Sequence, residues 1–75
     1  MPYSNEEFPL SREEKHGIIQ SRIKNIEMQK FHTELSILEE TALENTDEVA
    51  SLNEQLLVLA QRRQVLISEA SKYQD

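Results

Sequence analysis

Glu13 and His16 stand three residues apart in the stretch Glu13-Glu14-Lys15-His16, the spacing with which helical bundles hold paired iron ions. Such a site also needs carboxylates from facing helices near the middle of a bundle. In the fold predicted below, the position opposite Glu13 falls past residue 75, so these side chains are expected to form a solvated first turn. His32, beside Phe31 on the flank of the apolar row, is a candidate pH switch with Glu34 or Glu39 as acidic neighbours. A single flanking histidine is expected to be solvated. Arg63 breaks an otherwise apolar row, where it either snorkels to water along its aliphatic stem or pairs with an acid. There is no cysteine to act as nucleophile or thiolate ligand, and the one glycine, Gly17, rules out a glycine-rich phosphate loop. No catalytic, cofactor-binding or metal-binding residue is assigned, and no small-molecule substrate is expected.

Arg62 and Arg63 could group with Arg22, Lys24 and Lys30 as a basic patch able to contact phosphates. It lacks interleaved aromatics for base stacking. The net charge of −6 disfavours general binding to nucleic acid or anionic membrane, since both require a basic surface. A nucleic-acid accessory factor is retained as the alternative function. No apolar run approaches the roughly 20 residues that cross a bilayer, and residues 1–10 do not resemble a signal peptide. The expectation is a soluble, cytoplasmic protein, consistent with the missing cysteines.

The elements that carry these residues follow from one period. Steps of three and four from Met28 give Phe31, Leu35, Leu38, Ala42, Asn45, Val49, Leu52, Leu56, Leu59, Arg63, Leu66, Ala70 and Tyr73, with only Asn45 and Arg63 polar. Apolar residues every 3.5 positions press a helix against another helix. Ser11 and Glu14 form a capping box that starts the first helix at Arg12, and Pro9 forbids an earlier start. Asn45-Thr46-Asp47 prefers caps and turns to helix interiors, and Glu48 three residues after Asn45 repeats the capping pattern.

The predicted fold is therefore all-α: an extended arm over 1–10, a first helix over 12–44, a turn at 45–46 and a second helix over 47–73. The alternative is one unbroken helix, about 90 Å long at 1.5 Å per residue, in a parallel coiled coil. In the hairpin, positions summing to about 91 face each other. Met28, Phe31, Leu35, Leu38 and Ala42 are thus set against Val49, Leu52, Leu56, Leu59, Arg63 and the row continuing to Leu66.

That seam leaves other apolar residues over. Ile19, Ile23, Ile26 and Ile37 point roughly 130° away from it, and Leu57, Val58, Val65 and Ile67 widen the stripe of the second helix. A chain this short buries only about 60% of its unfolded surface, and no disulfide is available to supplement the core. These eight residues are the expected oligomer interface, in a homodimer forming a four-helix bundle or with a heteropartner helix. All eight lysines and arginines lie outside 33–61, a stretch that holds seven acids, which predicts that two hairpins stack antiparallel. The function expected from this pattern is a non-enzymatic oligomerisation and protein-interaction module.

Overall fold

The computed structural model describes residues 9–74 and is a two-helix hairpin: α1 (Arg12–Ala42), α2 (Thr46–Ala70) and a closing turn of 3₁₀ helix (Ser71–Tyr73). Most of the predicted arm, residues 1–8, lies outside the described residues. The unbroken-helix alternative is excluded, because the two helices pack against each other. No helix among the described residues is long and apolar enough to cross a membrane.

α1 begins where the capping box requires. Ser11 Oγ accepts from the Glu14 backbone N–H at 3.0 Å, and Glu14 Oε1 accepts from the Ser11 N–H at 2.9 Å, so two donors with no helical partner are satisfied. The backbone and side-chain hydrogen bonds from Ser11 hold the Glu14 carboxyl below its usual range. A carboxyl whose pKa is depressed on folding contributes stability above its unfolded value, and loses it as pH falls through the folded one. Circular dichroism of the full chain should therefore show α1 losing helix on acidification below the ordinary glutamate range, about pH 4.3. The Glu14→Gln variant should lack that component, and Ser11→Ala should cost about 1 kcal/mol at neutral pH. Equal acid sensitivity in the native chain and Glu14→Gln would remove the box from the account.

The reversal occupies Leu43, Glu44 and Asn45. The Asn45 N–H donates to Glu40 O at 3.0 Å and the Glu44 N–H to Thr41 O at 3.1 Å, the paired bonds of a Schellman ending. Glu44 takes the left-handed conformation, φ 60°, that such endings usually give to glycine. Asn45 is the N-cap of α2 as expected, but its side chain does not cap. Instead Asn45 Nδ2 donates to Glu40 Oε2 at 3.2 Å, tying the turn to the end of α1.

The buried row of α2 follows the predicted one. Leu52, Leu59 and Ala70 are buried, and Val49, Leu56, Arg63, Leu66 and Tyr73 are half-buried. The row of α1 does not. Apart from Ser36, the covered positions are His16, Ile19, Ile23, Ile26, Lys30, Thr33, Ile37 and Glu40, again in steps of three and four. Taken in antiparallel order these eight match the eight of α2, with sums of 89 rather than 91. Met28, Phe31, Leu35, Leu38 and Ala42, expected in the seam, are exposed. Of Ile19, Ile23, Ile26 and Ile37, expected at an oligomer interface, Ile26 is buried within the chain and the other three are half-buried on the face turned to α2.

Reach explains the exchange. The isoleucine row runs from 19 to 37, about 27 Å, and supplies apolar partners along most of α2. The Met28 row spans 28–42 and continues backward through Lys24, Ser21 and Gly17, which would leave Leu66, Ala70 and Tyr73 facing polar or absent side chains. Burying one row along the full length outweighs burying the greasier half.

Candidate interaction surface

Among the described residues the core between the helices is thin. Ile26, Leu52 and Leu59 are each 8% exposed, and among the described residues no large side chain is fully buried. The apolar surface left outside is larger than the core. Phe31 and Leu38 are 59% and 67% exposed, with Met28 and Leu35 beside them on the same face. At 100° per residue this row lies about 140° from the covered row of α1, on the side turned away from α2. A helix with two apolar stripes on opposing faces has one partner in its own chain and room for another.

The outer residues of α2 are less coherent. Leu57, Val58 and Val65 are exposed and Ile67 is half-buried. Val58 and Val65 do not continue Leu57's stripe, because Glu54 and Gln61 separate them on the helix surface. Each borders a shallow depression between the helices. One is lined by Arg22, Asn25, Ile26 and Arg62 with Val65, the other by Gln29, His32, Gln55 and Arg62 with Val58. Their walls mix polar ends with short apolar stems.

The charged residues divide between pairing and solvent. Arg63 Nε lies 2.7 Å from Glu27 Oε1, a direct ionic contact although the N–H does not point along the line to the oxygen. This ion pair crosses between the helices, and it supplies the acid partner that a seam arginine needs. Arg63 keeps 40% of its side chain in water, so the pair contributes about 1 kcal/mol or less. Lys30 Nζ reaches the same Glu27 oxygen at 3.8 Å while its stem lies on the covered row, so it snorkels. At the open end, Arg12 donates to the Lys72 carbonyl, and Arg12 and Lys15 lie over the Tyr73 ring at 5.7 and 5.6 Å. Lys72 pairs with Glu69 at 2.9 Å, which raises the lysine pKa. Of the proposed basic patch, Arg22 and Arg62 line the same depression, while Arg63 and Lys30 are engaged by Glu27.

Among the described residues, Glu13 and His16 gather no facing carboxylates into a metal site. The depression they border is completed by Arg12, Tyr73 and Gln74, and His16 Nε2 lies 3.4 Å from Gln20 Nε2. Among the described residues no three metal-ligating side chains gather. His32 is exposed. Leu43, 74% exposed beside the turn, is an apolar residue that the heptad count passed over, because it lies outside both rows.

No known protein family, curated protein or solved structure matches this chain.

Proposed function

We propose that this protein is a non-enzymatic interaction module that buries the outer face of α1 against another polypeptide. The observation that carries the reading is the exposed row Met28, Phe31, Leu35 and Leu38, at heptad spacing on the face turned away from α2. A solvated helix surface has no reason to repeat large apolar residues every 3.5 positions. Covering a leucine or phenylalanine is worth about 1.5 to 3 kcal/mol, so a few such residues can outweigh the cost of association. The site is a ridge rather than a pocket, and a ridge of this kind fits a helix groove or a second helix.

A photo-cross-linking side chain at Leu38 in the full chain, expressed in its host, tests the module. It should yield an adduct of discrete mass, and the same probe at Glu54 on α2 should not. Absence of any polypeptide adduct at both Leu38 and Phe31 would end the reading. Retention of nucleic acid on filters that weakens with salt and depends on Arg22 and Arg62 would favour the rival instead.

A further inference from the structure

We infer that the occupant of the outer face of α1 is a second copy of this chain, packed antiparallel so that Met28 meets Leu38 of the copy and Phe31 meets its Leu35. This rests on the reading of the ridge as an interaction surface, and adds the partner and the register.

The argument begins with self-complementarity. A twofold contact requires that whatever residue i meets, residue i of the copy meets in return. In the antiparallel register whose facing positions sum to 66, the four large apolar residues pair only with one another, in four successive layers. The next layer at each end sets Lys24 against Ala42 of the copy, where the small alanine leaves space for the lysine stem to lie flat. Shifting by a heptad either way is worse. Sums of 73 leave Met28 beside the Asn45 turn, and sums of 59 set Leu35 and Leu38 against Lys24 and Ser21.

Charge supports the same orientation. Glu39, Glu40, Glu44, Asp47 and Glu48 crowd the turn, and the last turn of α1 has no basic residue. In the antiparallel register this acidic end lies alongside the segment of the copy that carries Lys24. A parallel pair would bring the two acidic turns together. The arrangement has one unfavourable contact, because Glu34 of each copy flanks the twofold and meets its own equivalent. An exposed like-charge pair is a small term beside eight covered apolar side chains. The assembly is a row of helices, α2–α1 against α1–α2, rather than a four-helix bundle. Its contact is smaller than a standard protein interface, so a dissociation constant on the order of micromolar is expected.

The test uses the purified full chain in a sedimentation dilution series up to several hundred micromolar. A monomer–dimer equilibrium is expected. Leu38→Glu should raise the dissociation constant about 100-fold, and Leu57→Glu, an equally exposed leucine on α2, should leave it unchanged. Glu34→Gln should tighten the dimer a few-fold by relieving the contact at the twofold. Because the chain has no cysteine, Glu34→Cys offers an independent readout: it should oxidise to a disulfide-linked dimer, and Glu54→Cys should not. A monomer throughout the series, or a dimer dissolved by Leu57→Glu and untouched by Leu38→Glu, would overturn the proposal. A dimer whose Glu34→Cys form fails to cross-link would overturn the register. A monomeric purified chain that still forms a Leu38 adduct of foreign mass in its host would overturn the second copy and leave the interaction module standing.

Discussion

Leu59→Ala should remove most of the hairpin's stability, while Leu38→Ala, the same change on the same type of residue, should leave the isolated chain almost untouched. Leu59 is 8% exposed and Leu38 is 67% exposed. Truncating a buried leucine costs about 2 to 5 kcal/mol, the transfer of the lost atoms plus the cavity left behind. A domain of this size has roughly 4 to 11 kcal/mol in total, and a core with no fully buried large side chain belongs at the lower end. Half or more of the stability thus rests on one residue. Urea unfolding followed by circular dichroism checks this, in solution dilute enough that the proposed second-copy contact is dissociated. Equal losses at the two positions would mean that the face of α1 turned toward α2 is not the isoleucine row. Ile26→Ala should behave like Leu59→Ala, and Phe31→Ala like Leu38→Ala, so the four variants together decide which row is the core.

That question is where the sequence is least informative. The helical class, the capping box at Ser11, the reversal near Asn45 and the buried row of α2 are all legible from residue spacing, because each depends on local chemistry or on a single apolar period. Which row of α1 turns inward depends on α2 as a whole. Lys30, Thr33 and Glu40 dilute the covered row, so a count of apolar residues favours the Met28 row instead. Its reach identifies the isoleucine row, since it alone continues under Leu66 and Ala70. Glu27 offers a second signal, standing next to Ile26 where it can meet Arg63 across the seam. The excess of apolar surface is legible in either case, because the total does not change when the rows exchange roles. Its location does change, and with it the surface left exposed.

The chain's only glycine sits where glycine is costly, and a glutamate occupies the place that suits glycine. Gly17 lies inside α1, and a Cβ added there meets nothing within 4 Å. Gly17→Ala should therefore stabilise by about 1 kcal/mol, through the helix propensity that glycine forfeits. Glu44 holds φ 60° without the freedom of glycine, a conformation that costs an L-residue roughly 1 to 2 kcal/mol. Part of that is returned as unfolded-state entropy when glycine is introduced, so Glu44→Gly should gain about 0.5 to 1 kcal/mol. The glutamate charge alters this little, lying between the negative end of α1 and the positive end of α2. Residues 17 and 44 are about 40 Å apart along α1, too far to couple, so the double variant should gain about 1.5 kcal/mol or more. For a domain of this length that is a rise in Tm of about 6 to 12 °C, measurable by thermal circular dichroism. Glu44→Val should move the other way, because a β-branched residue tolerates the left-handed region least. If Glu44→Gly and Glu44→Val shift the transition in the same direction, the left-handed ending of α1 is not what turns the chain.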